Sequence, residues 1–312
     1  MLFLCHLFRI FDILLWSESF KETEMNYYLI STDHLSDGIW FRDDEDFTIG
    51  MNHVAVLASH KTVFILCFVL MSNHVHFVIG CDNRKQALEF VTQFKNIYSR
   101  YYGTKYQVTE FLRRNKVDIR LLPIEEEALE KAIAYVLMNP VAANICTHAA
   151  LYPWGSGSCY FRDAPVTGQP IRILSRRKQC ALLKSNVKVE QNYCISPSGY
   201  ILPESYICIP FVEKIFRTAG RLNFFLNNSS KAKARFEADS NLVPSFRDQL
   251  IASAIGDICH TLFHKRYFDE CNNREKARVA YELQRRFSAD PKQIARVLGC
   301  NLKDITLWLD SV

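Results

Sequence analysis

The chain has 312 residues, 49% hydrophobic and 23% charged, with 38 Lys and Arg against 33 Asp and Glu. That balance excludes a mainly disordered or collagenous chain, and the length fits about two domains. A net charge of +5 is too small to announce a nucleic-acid partner by itself; it fits one basic face on an otherwise neutral body.

Eleven cysteines are present, an odd number with no CxxC pair. This predicts reduced, mostly buried thiols in a cytoplasmic protein, not a disulfide framework or a zinc ribbon. The opening run, residues 1–16, is strongly apolar but interrupted by Arg9 and Asp12. It is shorter than the ~20 residues that a bilayer requires, so no stable membrane insertion is expected. Three readings stay open for it: an amphipathic helix, a membrane-associated segment, or residues foreign to the natural protein. We read Met25 as the natural start.

Residues 26–31 are aromatic and β-branched and predict a strand. The acidic run Asp43-Asp44-Glu45-Asp46 precedes a helix or extended segment reaching Ser59. Thr62–Leu70 and His74–Ile79 predict neighbouring strands joined through Met71-Ser72-Asn73. Between Lys85 and Tyr102, apolar side chains recur at three and four residues (Leu88, Val91, Phe94, Ile97, Tyr101), which predicts a helix. A short strand is expected over Asp118–Leu122. A helix is expected over Glu125–Leu137, its regular part ending at Asn139-Pro140. Pro153–Gly168 reads as loop, Ile171–Lys184 and Pro210–Phe225 as helical. The tail from Arg274 to Asp310 reads as helical, with breaks at 288–291 and 299–301.

His74-Val75-His76 carries the clearest chemistry. In a strand, residues two apart share a face, so both imidazoles project together while Val75 points into the core. The pair suits either a metal ion or two hydrogen-bonded core histidines. Tyr135 and Asn139 are four apart on a helix and share its face. Such a tyrosine is either packed core or a nucleophile. An amide oxygen beside two imidazoles suits Mg²⁺ or Mn²⁺ holding a scissile phosphate.

Three motifs occur in order: Met71-Ser72-Asn73-His74-Val75-His76, then Tyr135-Val136-Leu137-Met138-Asn139-Pro140-Val141-Ala142-Ala143, then Tyr152-Pro153-Trp154-Gly155-Ser156. Together they resemble the HUH strand, the Y-h-x-x-N-P-V-x-A helix and the Y-P-W-S-S piece of IS200-like single-tyrosine transposases, in particular the REP-associated branch. The resemblance covers roughly residues 26–162. It departs at Ser72 (usually Pro), Gly155 (usually Ser) and Ala142 (often Arg), and the glycine-rich aromatic stretch before the catalytic helix is poorly kept in Gly103–Leu121.

The resemblance implies a ferredoxin-like α+β core with an antiparallel sheet, here followed by a mainly helical C-terminal extension. It implies Tyr135 as the nucleophile, Mg²⁺ or Mn²⁺ held by His74, His76 and Asn139, and a 5′-phosphotyrosine intermediate on single-stranded or hairpin DNA. A monomer and a homodimer both remain open. The nearest rivals are an HUH replication or mobilisation nuclease and a catalytically inactive DNA-binding regulator.

Charge is concentrated near these motifs. Between Arg84 and Arg120 lie nine basic and three acidic side chains, a local surplus larger than that of the whole chain. Tyrosines are interleaved there, as a phosphate-binding and base-stacking surface requires. The expected DNA contacts are Lys95, Arg100, Tyr101, Arg113, Arg114 and Lys116; a solvated helix face with its aromatic side packed inward is the alternative. A second basic cluster comprises Arg162, Arg172, Arg176, Arg177 and Lys178. Near the end, Asp290 as cap, helix 291–298, a Gly299-Cys300 turn and helix 302–309 follow a helix-turn-helix plan, or else that of a small docking bundle. Cys259, His260, His264 and Cys271 match no common zinc spacing. The expected division is a 1–24 extension, a 25–165 catalytic domain, a 166–240 connector and a 241–312 helical domain.

Overall fold

A computed structural model of the chain describes residues 25–33, 39–123, 127–143, 145–162, 167–229, 248–287, 289 and 291–310. The readings made for residues 1–24, for Glu125 and for Asp290 as a cap lie outside them.

The first half runs β1 (Asn26–Thr32), α1 (Asp44–Ala58), β2 (Phe64–Met71), β3 (His74–Cys81), α2 (Arg84–Tyr106), β4 (Val117–Leu122) and α3 (Ala128–Ala142). The four strands form one sheet in the order β2-β3-β1-β4, and every pairing is antiparallel. This βαββαβ order is the ferredoxin-like plan.

The segment after Asp43 resolves to helix. The Asp43 side chain caps α1 by accepting from the Asp46 N–H at 2.9 Å, and Asp44, Glu45 and Asp46 occupy its first turn, where the helix dipole favours acids. A two-residue turn, Ser72-Asn73, joins β2 to β3. The Ser72 carbonyl accepts from the N–H groups of Trp40 (2.7 Å) and Phe41 (3.1 Å), which pins the turn to the buried segment before α1.

The two sides of β3 face different helices. Phe77 packs against Phe90 and Phe94 of α2, with centroids 5.2 and 5.6 Å away. The alternate residues His74 and His76 face the other way, toward α3, where Tyr135 meets His76.

The expected end of α3 is corrected. The helix continues through Asn139-Pro140 to Ala142. A proline removes the N–H that would bond the carbonyl four residues back, here Val136. The Asn139 side-chain amide supplies donors instead, to Val136 O at 3.3 Å and Tyr135 O at 2.8 Å.

The second half contains a two-stranded ribbon, β5 (Gln169–Pro170) with β6 (Cys194–Ile195), and the helices α4 (Arg176–Leu183), α5 (Ile209–Phe216), α6 (Ala219–Asn227), α7 (Asp248–Phe263), α8 (Asn273–Phe287), α9 (Pro291–Leu298) and α10 (Leu302–Asp310). The helix expected over Ile171–Lys184 is a 3-10 turn at Ile171–Ile173 followed by α4. The one expected over Pro210–Phe225 is divided at Arg217, whose φ is +64°, and restarts at the Thr218 cap. The breaks expected in the tail fall between α8, α9 and α10. Gly299, at φ +64°, closes α9 in a Schellman motif, with Cys300 N–H donating to Ala295 O at 2.9 Å.

Val212, Phe216, Leu222, Phe225 and Leu226 join the same apolar core as the sheet. Residues from Ile251 to Ile305 build a separate one around Val279, Leu283 and Ile294. Asp248 and Arg296 form a buried bidentate pair within that part, at 2.7 and 3.0 Å.

Candidate functional site

β3 sets the two histidines side by side. Their ring centroids are 4.7 Å apart and their planes nearly perpendicular, at 85°. The Tyr135 ring stands edge-on to His76, with centroids 5.5 Å apart. His74, His76, Tyr135 and Asn139 are 1%, 3%, 5% and 3% exposed, so the cluster is enclosed. Val75, between the histidines, is fully buried on the opposite side.

Each imidazole is held through Nδ1. Asn73 Oδ1 accepts from His74 Nδ1 at 2.8 Å, and Ser31 Oγ lies 2.8 Å from His76 Nδ1. A histidine that donates Nδ1–H to a carbonyl oxygen carries its ring lone pair on Nε2, the usual state of a metal-ligating imidazole. This donor set fits a divalent cation that takes its remaining ligands from oxygen. Among the described residues no group of three or more His, Cys, Asp or Glu is arranged to hold a metal, so such an ion would rely on amide, solvent and phosphate oxygens. Asn139 sits one helical turn beyond Tyr135, with its amide nitrogen committed to α3.

Ser31 and Asn73 went unassigned in the sequence. Ser31 lies 45 residues from His76, and only the register of β1 against β3, which pairs Ser31 with His76, brings them together. Asn73 was visible as a motif residue, but its contact to the adjacent imidazole was not.

The residues expected to touch DNA divide into two groups. Arg100, Arg114 and Lys116 are exposed and make no ion pair among the described residues. The others are engaged. Lys95 donates to the Asn115 carbonyl, and burial lowers its pKa. Arg113 pairs with Glu110. Tyr101 is a correction: its ring is buried and its hydroxyl donates to Asp46 at 2.8 Å, so it presents no stacking face to solvent. The cause is Asp46, a fully buried carboxylate that also accepts from Tyr106 at 2.9 Å and from Arg42 N–H at 2.8 Å. Lys105 completes this cluster. Burial alone would depress its pKa, but the hydrogen bonds it donates to Asp43, Asp46 and Glu45 outweigh that and hold it well above the ordinary lysine value. The acids that neutralise Lys105 come from α1 and its cap, so counting charge along α2 overstates its positive face.

The Tyr152–Ser156 piece docks on the edge of β2. Tyr152 Oη donates to Leu70 O at 2.7 Å, Leu70 N–H to Trp154 O at 2.9 Å and Ser156 N–H to Phe68 O at 3.0 Å. Trp154 stacks on Phe47 at 4.9 Å. A Cβ on Gly155 would stand 2.7 Å from the Phe68 carbonyl oxygen, which accounts for glycine there. Val69, which bridges to Gly155, is the register partner of His76, so this piece backs the histidine strand.

Cys259 and Cys271 face each other with sulfurs 4.0 Å apart, and the described cysteines are free thiols. No described helix is long and apolar enough to cross a membrane.

A search of curated protein sequences finds no match. Among solved structures, a REP-associated tyrosine transposase bound to a REP hairpin is similar at 12% identity and a TM-score of 0.30, over 42% of this chain and 76% of that one. The family model "Transposase IS200 like" matches residues 41–116. The matched stretch contains the whole strand that carries His74 and His76 and ends before Tyr135 and Asn139.

Proposed function

We propose that the protein is a metal-dependent, single-tyrosine DNA transposase that cleaves and rejoins single-stranded or hairpin DNA. The observation that carries this reading is the approach of the Tyr135 ring to within 5.5 Å of His76, itself paired with His74. A nucleophile on α3 thereby stands beside two imidazoles on β3.

In this reading His74 and His76, with the Asn139 side-chain oxygen, hold Mg²⁺ or Mn²⁺. When bound, the ion would polarise a non-bridging phosphate oxygen and stabilise the charge developing on it. Tyr135 Oη attacks the phosphorus in line as the bond to the 3′ oxygen breaks. The tyrosine gives up its proton, the departing 3′ oxygen gains one, and the 5′ phosphate remains on the tyrosine. Attack by a 3′-hydroxyl reverses the step and rejoins a strand.

Arg100, Arg114 and Lys116 line the strand's phosphates, and the reaction belongs in the cytoplasm. Residues 25–165 form the catalytic part. The connector (166–240) and the C-terminal helices (241–312) are additions, with α9 and α10 as a helix-turn-helix-like pair.

The test is incubation of the full chain with end-labelled hairpin DNA and Mn²⁺ or Mg²⁺, followed by a denaturing gel. A protein–DNA adduct is expected, lost on chelation and in Tyr135→Phe. An adduct that survives Tyr135→Phe would remove Tyr135 as nucleophile; binding without cleavage on any hairpin would favour a regulator.

A further inference from the structure

We infer that Ser31 and Asn73 are positioning residues, which fix the ring orientation and tautomer of His76 and His74 so that both present Nε2 to the same cation. The inference rests on the proposed reading of the histidine pair and adds how that pair is held.

Three observations carry it. The first is the symmetry of the contacts, since each imidazole is met at Nδ1 by a side-chain oxygen 2.8 Å away. A ring held at Nδ1 cannot rotate to exchange its nitrogens, and where Nδ1–H is the donor, as toward the Asn73 carbonyl oxygen, Nε2 keeps the lone pair. The hydroxyl of Ser31 can accept from Nδ1–H because its own proton is free to rotate elsewhere.

The second is placement on rigid elements. Ser31 is the direct cross-strand partner of His76, and opposed residues in an antiparallel pair share a face at short range. Asn73 lies in the turn whose Ser72 carbonyl is fastened by Trp40 and Phe41. Neither oxygen depends on a loose loop to reach its ring.

The third is that Asn73 is kept at a cost. It is fully buried, and its Nδ2 has no hydrogen-bond partner among the described residues. A buried donor without a partner destabilises the fold. A residue chosen for stability alone would not leave one there. The carbonyl end, turned to His74, is the part in use.

The test measures Mn²⁺ binding by the full chain, from the free-ion EPR signal, for Ser31→Ala, Asn73→Ala, Asn73→Asp, His74→Ala and His76→Ala. Loss of an outer-shell partner weakens metal affinity by about 10–100-fold. We expect that loss in Ser31→Ala and Asn73→Ala, with melting of the metal-free protein nearly unchanged. Asn73→Asp should keep the affinity, since a carboxylate accepts the same proton. Ring ¹⁵N shifts should report Nδ1–H imidazoles in the metal-free protein and a mixed tautomer population at His74 in Asn73→Ala.

If the histidine variants lose Mn²⁺ while Ser31→Ala and Asn73→Ala bind it like the parent with unchanged ring shifts, the positioning role is overturned and the metal site stands. If the histidine variants bind as well as the parent, the metal site falls and this role with it. Should Asn73→Ala fail to fold, the Asn73→Asp affinity and the Ser31→Ala shifts decide the matter.

Discussion

The Asn139 side-chain amide donates to the Tyr135 carbonyl at 2.8 Å, within the helix that carries both. Asn139 therefore repairs the helix beside Pro140 with its nitrogen while its oxygen remains for another partner. Asn139→Asp replaces the donor with a carboxylate facing two carbonyls in the last turn, where the helix dipole also opposes negative charge. It should lower stability by about 1–3 kcal/mol, read from urea unfolding. An unchanged midpoint would show that the amide bonds do not support α3.

His53 makes acid stability diagnostic. Burial pushes its imidazole down to about 3, against a small opposing effect from the Leu183 backbone. An unfolded histidine titrates near ~6.5, so between these values the unfolded chain binds the extra proton. His53 thus contributes stability above the unfolded value, and loses it as pH falls toward the folded one. The slope from this group approaches ~1.4 kcal/mol per pH unit. His53→Leu should flatten the fall in unfolding free energy between pH 6 and pH 4; a slope as steep as the parent's would exclude His53 as its source.

Gly155→Ser would introduce the serine of the Y-P-W-S-S motif that this piece resembles, and it should nevertheless destabilise this chain. The new Cβ meets the Phe68 carbonyl at 2.7 Å, and the backbone must shift to admit it, at roughly 1–3 kcal/mol. Differential scanning calorimetry would show the lowered transition. A rise in melting temperature would mean that the edge of β2 relaxes freely.

Arg296→Ala takes from the fully buried Asp248 carboxylate, which Gln293 also meets at 3.0 Å, the guanidinium paired with it. Removing one member of such a pair costs about 3–5 kcal/mol. Loss of hydrogen-exchange protection confined to residues 248–310 is the expected signature, and retained protection there would contradict the pair's importance.

The exposed cations separate from the engaged ones by salt dependence. On the proposed reading, neutralising Arg100, Arg114 or Lys116 should each reduce the slope of log K against log salt by about 0.7 for a single strand. Arg113→Gln, already paired with Glu110, should change it less. Equal slopes for all four variants would remove this face from the interface.

The strands were legible as runs of apolar β-formers, since β2 and β3 are buried on both faces and show no alternation, and the histidine pair was legible because residues two apart in a strand share a face. The helix after Asp43 was ambiguous because its buried face includes Gly50, Asn52 and His53, which blur the apolar stripe. Pro140 misled for a local reason: its missing N–H is replaced by a side chain one residue away. Tyr101 misled for a distant one, because Asp46 lies 55 residues earlier and draws the hydroxyls of α2 inward. α7 falls in the stretch expected to be helical, but its bounds were not legible because small and polar residues in its sequence, such as Ser253, Gly256 and Asp257, weaken the pattern.

With Tyr135 only 5% exposed and His74 only 1%, the cluster is covered by surrounding protein. On the proposed reading, the reaction would be throttled by the fraction of molecules momentarily open, and each 1.4 kcal/mol of opening free energy would remove a factor of about ten from the rate. Activity and thermal stability should then run in opposite directions across variants that loosen the surrounding packing. A faster enzyme with a lower melting point is the expected mark of such a gate.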